Sequence, residues 1–379
     1  MAVKLLRNTR LWVSTVLSGH DTTNTWEIQV QDDLSFNQNP TSSDIELEEA
    51  GATPTRGSAR FNDALEPADW TFSTYIRSYL VDPDGTPDSG DEYQFTPDAL
   101  LWHSLASGSP FDVTSAAGVH SNPVNMLLDF KDSQHHELLK FHVYMNVDGA
   151  WYVIENCQVG EATISNDIDG IGSTTWTGQG TLLSELPSQP FDPANVLSVD
   201  CNLQASYIRN KLTVLRVTDN RNSNTAYDIA ITGGSITFTN NITFLTPSTL
   251  SCLDVPIGSY TGSLSITGEM TAYLDDKTNG SKKLLADMLQ QKSVTSSFEI
   301  AVIMGGVASS GTAPAAVIVL PTAHLDVPSI ESADVISTSL SFKGIPTDFS
   351  AGDEAFLGFS DRFTSAEIDR LINTGDGEA

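Results

Sequence analysis

Leu6-Arg7-Asn8-Thr9-Arg10-Leu11-Trp12-Val13-Ser14-Thr15 is answered later in the same chain by Ile208-Arg209-Asn210-Lys211-Leu212-Thr213-Val214-Leu215-Arg216-Val217-Thr218. The correspondence continues in order. Asn24-Thr25-Trp26-Glu27-Ile28 is matched by Asn224-Thr225-Ala226-Tyr227-Asp228-Ile229, and Leu34-Ser35-Phe36 by Ile236-Thr237-Phe238. Trp70-Thr71-Phe72 aligns with Leu264-Ser265-Ile266, and the leucines 100, 101 and 105 with 284, 285 and 289. Phe141-His142-Val143 aligns with Phe298-Glu299-Ile300, and Ile164, Trp176 and Gly178 with Ile330, Phe342 and Gly344. Apolar positions meet apolar positions throughout, so the chain reads as one fold written twice.

The spacing between matched residues locates the differences. It falls from 194 to 184 across the acidic loop 82–92, then to 157 between Leu105 and Phe141, and returns to 166 after the stretch Gly305 to Ala315. All three breaks lie in Gly-, Ser-, Asp- and Pro-rich sequence, as surface insertions do. The expected organisation is a first domain over 1–186, carrying the acidic loop 82–92 and an insertion over 106–139. A proline-rich linker follows at 187–197, then a second domain over 198–359, then a short helix and tail over 360–379.

Within each copy, alternation of apolar and polar residues dominates. Thr25-Trp26-Glu27-Ile28-Gln29-Val30, Asp69-Trp70-Thr71-Phe72-Ser73 and Ser337-Thr338-Ser339-Leu340-Ser341-Phe342 put every second side chain on one face. That is the period of strands with one buried and one wet face. Each copy has one helix in the same relative place. Thr96 is the expected cap of the first, with Pro97 in its first turn and Leu100, Leu101 and Leu105 following. Asn279-Gly280-Ser281 precedes the second, with Leu284, Leu285 and Leu289. The predicted fold is mainly β: two tandem β-sandwich or half-barrel domains, each with one flanking α-helix. The predicted core includes Trp70, Phe72, Leu101, Trp176, Ile266, Leu285 and Phe342.

At 379 residues the chain is long enough for two such domains. Its 19 Lys and Arg against 48 Asp and Glu give a net charge of −29. The first 200 residues hold −21 of it (8 against 29) and the remainder −8 (11 against 19). So acidic a chain does not hold nucleic acid by neutralising phosphates, which needs clustered Lys and Arg. Such acidity serves solubility, or a surface that lies near DNA without binding it. Three widely spaced cysteines (157, 201 and 252) make neither a disulfide framework nor a zinc set, and point to a reducing compartment. The longest apolar runs, such as Ala315 to Leu320, are too short to span a bilayer.

Candidate chemistry fails on spacing. His135, His136, Glu137 and His142 place five residues between the last two histidines, where a zinc-protease helix needs the second His three residues after the Glu. Asp82, Asp84, Asp88, Asp91 and Glu92 surround a glycine at the fourth loop position, not the sixth that an EF-hand requires. No Walker-type Gly-rich loop and no serine elbow occur. No cofactor, metal or catalytic residue is expected, and the chain does not read as an enzyme.

The segment Glu46 to Leu80, ELEEAGATPTRGSARFNDALEPADWTFSTYIRSYL, resembles the major tail tube proteins of long-tailed bacteriophages, most specifically in Thr-Arg-Gly before FNDALEPADWTFSTYIR. The stretch IVLPTAHLDVPSIESADVISTSLSFKGIP in the second copy resembles strands near the end of the same fold. The resemblance implies a virion protein, assembled in the host cytoplasm, whose tube domains join sheet edges six to a ring around a lumen that DNA traverses. Tail tape measure and tail terminator or tip proteins are its implied partners. With two copies per chain, three chains are expected to supply the six domains, a trimer with pseudo-sixfold symmetry. The competing reading is a β-sandwich decoration or receptor- or glycan-binding module. The apolar insertion, with Phe111, Val113, Val119, Val124, Met126, Leu127 and Phe130, is the candidate surface for ring stacking; the alternative is that it packs onto its own domain.

Overall fold

A computed structural model describes residues 8–45, 58–82, 92–112, 118–134, 136–197, 207–220, 225–246, 255–290, 298–306, 311–331 and 336–374. The first half begins with strands β1 (Thr9–Ser14), β2 (Thr25–Ile28), β3 (Ser35–Asn37), β4 (Pro40–Ile45) and β5 (Ala59–Leu65). Strands β6 (Ala68–Tyr75), β7 (Tyr79–Val81) and β8 (Tyr93–Phe95) lead to helix α1 (Ala99–Ala106). Then come β9 (Val119–Ser121), β10 (Met126–Asp129), β11 (Phe141–Val147), β12 (Ala150–Asp167), β13 (Ser173–Gly180) and β14 (Leu182–Leu186). The second half starts with β15 (Val214–Asp219), β16 (Thr225–Ile229), β17 (Ile231–Leu245) and β18 (Gly258–Tyr273), before helix α2 (Ser281–Gln290). It ends with β19 (Phe298–Met304), β20 (Ala313–Leu325), β21 (Ser329–Glu331), β22 (Ser337–Gly344), β23 (Phe356–Phe363) and helix α3 (Ser365–Thr374).

The same antiparallel pairings are made twice. In the first half β2, β1, β11, β12 and β14 are successive neighbours; in the second, β16, β15, β19, β20 and β23 are. A second layer runs β12, β13, β6, β3 in the first half and β20, β22, β18, β17 in the second. The register is common to both. Val13 lies between Trp26 and Val143, and Val217 between Tyr227 and Ile300. Two sequence matches shift. Trp176 pairs with Phe72 and Phe342 with Gly268, so Trp70 answers Ile266 rather than Leu264. Ala162 answers Leu325, which puts the counterpart of buried Ile164 at Val327 and not at Ile330.

One long strand in each half serves both layers. Trp151–Glu155 of β12 lies between β11 and β14, whereas its later residues pair with β13. The change of sheet follows Asn156, whose φ is 50°, and the pairing with β13 carries a register shift between Val159 and Glu161. Bulges of this kind bend a strand so that it can leave one sheet for another.

The halves are not separately cored. Glu161–Asp167 of β12 pairs with Gly233–Thr239 of β17, and Met126–Asp129 of β10 pairs with Phe356–Phe359 of β23. Trp102 of α1 packs its ring 4.7 Å from Trp176, 5.8 Å from Phe238 and 5.7 Å from Phe359, across both halves. All seven predicted core residues are buried. The expected linker is packed rather than solvated: Phe191 and Val196 are buried beside Trp12, Tyr144 and Trp151.

Helix α1 starts later than its sequence indicates. Its N-cap is Asp98, not Thr96, and the Thr96 hydroxyl points to the Met126 sulfur at 3.6 Å. All eight residues of α1 are buried, so it has no wet face. In α2 Ser281, Leu284, Leu285 and Met288 are buried. Helix α3 opens with a capping box, Thr364 N–H donating to Glu367 Oε2 at 2.7 Å and Glu367 N–H to Thr364 Oγ1 at 3.3 Å. Its Ile368, Leu371 and Ile372 pack on Ala315, Val317 and Phe363.

Candidate functional site

The layer formed by β3, β6, β13, β12, β17, β18 and β22 is one continuous sheet with unequal faces. One face carries Trp70, Phe72, Trp176, Ala162, Ile164, Ile236, Phe238, Ile266, Met270, Leu340 and Phe342 into the core. The period of two turns the intervening residues outward, and they are overwhelmingly hydroxyl-bearing. Thr71 and Ser73, Thr175 and Thr177, Thr163 and Ser165, Ser235 and Thr237, Thr267 and Thr271, Ser339 and Ser341 succeed one another across the sheet. The hydroxyls bond across strands: Thr163 to Thr237 at 3.1 Å and Ser73 to Thr175 at 2.9 Å.

Charge on this face is sparse and mostly negative. Asp69 accepts from Gln179 Nε2 at 2.8 Å, Glu161 from Thr239 at 3.4 Å, and Glu269 from Ser339 at 3.0 Å. Asp167 and Asp326 lie at its margins. Lys343 and the pair His324–Asp326, 3.3 Å apart, supply the basic groups on the described part of the face. Such a surface is well hydrated and repels polyanions at short range, because a potential of this sign reaches only about 8–10 Å at physiological salt. The alternating Ser and Thr signal was in the sequence; the joining of seven strands from both halves into one wall was not.

Two groups with strongly shifted acidity lie in the core instead. Burial pushes the Asp98 carboxyl up to about 6, against the opposing hydrogen bonds of Thr96 and Thr74. Burial takes His142 down to about 4. Of the zinc candidates, His135 lies outside the described residues, and His142 Nδ1 accepts the Asn156 N–H at 3.3 Å. Among the described residues no group of three or more His, Cys, Asp or Glu is arranged to hold a metal ion. Residues 83–91 of the acidic loop lie outside the described residues, and so does Val113.

The insertion over 106–139 is used inside the chain. Val119, Met126 and Phe130 are buried, and Leu127 packs on the α3 cluster. Phe111 sits 5.0 Å from Trp26, and the Val124 carbonyl accepts from Ser360 at 2.6 Å. Part of this stretch joins the two halves, because β10 pairs along the edge of β23. Exposed apolar residues lie elsewhere, among them Ile45, Phe61, Leu245, Ile257 and Tyr260 on the hairpins β4–β5 and β17–β18, Leu289 on α2, and Val327 and Ile330 around β21.

Two sheet edges complete the picture. Among the described residues, β3 pairs only with β6 and β21 only with β22, so a strand edge faces outward at each end of the shared sheet. Open edges of this kind are templates for another chain. Residues 47–344 match the family described as phage tail tube protein. This chain belongs to the phage tail tube protein family. It is 47% identical over 380 residues to the tail tube protein pb6 of Escherichia phage T5, an alignment covering all of this chain and 80% of that protein. A tail tube protein is a structural component of the virion tail that polymerises with itself, and it is not an enzyme. No helix among the described residues of this tail tube protein is long and apolar enough to cross a membrane.

Proposed function

We propose that this chain is the major tube subunit of a long-tailed phage, that three copies close a ring with pseudo-sixfold symmetry, and that stacked rings form the hollow path for phage DNA. The observation that carries this reading is the repeated strand order with its two outward edges. A sheet whose ends are both open and whose halves are alike closes by adding copies head to tail until no edge remains. Each chain contributes eight strand positions to the wall, counting β20 and β21 as one. Three chains make a barrel of about 24 strands, and at a spacing of about 4.8 Å and a tilt of about 35–45° its backbone diameter is roughly 45–52 Å. That passes a DNA duplex with a layer of water. Six chains would double the width.

The open, hydroxyl-rich face is assigned to the lumen. Its acids keep phosphate from adhering, and its hydroxyls hold water without offering a cationic foothold. Assembly in the host cytoplasm, with tape measure and terminator or tip proteins as partners, follows from the tube role. Electron microscopy of the purified protein tests the proposal. Threefold rings with an open channel, stacked into tubes, are expected; isolated monomers that bind glycans would overturn it in favour of a decoration or receptor-binding module.

A further inference from the structure

We propose that the contact between neighbouring copies of this chain reproduces, residue for residue, the junction the chain already forms between its own halves. The inference rests on the ring reading above and adds the strands, the register and the seat of a hairpin. Within one chain, β12 of the first half pairs with β17 of the second, Ala162 facing Phe238 and Thr163 facing Thr237. The counterparts follow from the ladders. Ala162 pairs with Trp176, and Leu325 holds the same place beside Phe342. Phe36 pairs with Trp70 as Phe238 pairs with Ile266, the residues two before Phe72 and Gly268. Leu325 of one copy therefore faces Phe36 of the next, and Asp326 faces Ser35. Asp326 continues the ladder past β20, its N–H donating to the Ser341 carbonyl at 2.9 Å.

The chemistry at the second junction is suited to the same geometry. Thr163 and Thr237 share a hydroxyl contact of 3.1 Å. Their counterparts are a carboxylate and a hydroxyl, so Ser35 donates to Asp326 across the copies. Exposure separates the filled junction from the one awaiting a partner. Phe238 is fully buried whereas Phe36 is half-buried. Leu105 of α1 is 1% exposed and Leu289, its match on α2, is 59% exposed.

The cover over Leu105 is known: the β17–β18 hairpin lies on that end of α1, with Asn240 Nδ2 donating to the Leu105 carbonyl at 2.9 Å and Thr261 Oγ1 to the His136 carbonyl at 2.6 Å. The β4–β5 hairpin extends from β3 and β6 as the outer part of β17–β18 extends from its own inner part. It is the element that covers Leu289 of the neighbouring copy.

The test uses the full chain with Ser35→Cys and Asp326→Cys together, oxidised mildly after assembly and run on a denaturing gel without reductant. Covalent trimers are expected, at least about fivefold more abundant than from Asn37→Cys with Asp326→Cys, which is slipped by two residues, because directly opposed Cβ atoms fall within disulfide reach and diagonal ones do not. The oxidised wild-type chain is the blank. If the first pair prevents assembly, Asn37→Cys with His324→Cys probes the same register. Leu289→Asp is expected to keep the wild-type Tm as a monomer and to lose tube formation. Wild-type tubes with slipped cross-links exceeding matched ones, or wild-type tube yield from Leu289→Asp, overturn the inference while leaving the ring reading intact. A wild-type protein that forms no rings overturns the ring reading itself.

Discussion

At Gly178 and Gly268 the missing side chain is what lets an aromatic ring cross the sheet. A Cβ on Gly178 would lie 2.2 Å from the Trp70 ring, and one on Gly268 would lie 2.2 Å from the Phe342 ring. Gly178→Ala is expected to cost about 1–3 kcal/mol through overpacking, read from the denaturation midpoint. An unchanged midpoint would mean that the Trp70 ring swings aside at no cost. Asp98 is the other residue that sets a measurable property. It is buried at the start of α1, accepts from Thr74 Oγ1 at 3.1 Å, and has its carboxyl pushed up to about 6 by burial. Because the folded value lies above the unfolded one of about 3.9, the folded state holds the proton more tightly. The stability this gives is full below about pH 4 and is lost as pH rises through about 6. Asp98→Asn, which keeps a capping residue, is expected to flatten the urea-midpoint profile between those values; a slope that persists would place its origin in another group.

The elements show where a linear reading holds and where it stops. Strands β13 and β22 announce themselves, since Thr174, Trp176, Gly178 and Gly180 face inward with period two and Thr338, Leu340, Phe342 and Gly344 repeat the pattern. The capping residues of α3 are equally local: Thr364→Ala is expected to cost about 1 kcal/mol in thermal unfolding. Strand β10 is different. Met126 and Phe130 read as a sticky surface because nothing nearby in sequence needs them; their partners, Phe359 and Phe238, lie in the second half. Deleting residues 118–130 is therefore expected to lower Tm and expose apolar surface to a dye, rather than to yield a stable chain that merely fails to polymerise. A deletion variant with wild-type Tm would return the insertion to a surface role.

For the molecule as a whole, the acids of the shared sheet bear on transport more than on folding. Replacing Asp69, Glu161 and Glu269 by the matching amides keeps a polar group at each hydrogen bond and removes three negative charges from the open face. Tubes are expected to form normally and DNA ejection to slow; normal ejection kinetics would count against an electrostatic part for this face. The sequence by itself determined the strand class, the seven buried residues and the acidity, because each is carried by residue type and by periods of two or 3.6 along the chain. Tertiary structure alone decided that β12 leaves one sheet for another, that β10 closes on β23, and that β3 and β21 are left as edges. Those facts depend on which strand meets which, over separations that reach 233 residues between Met126 and Phe359, and hydrogen bonds between backbones carry no signature in the side chains that a linear reading can follow.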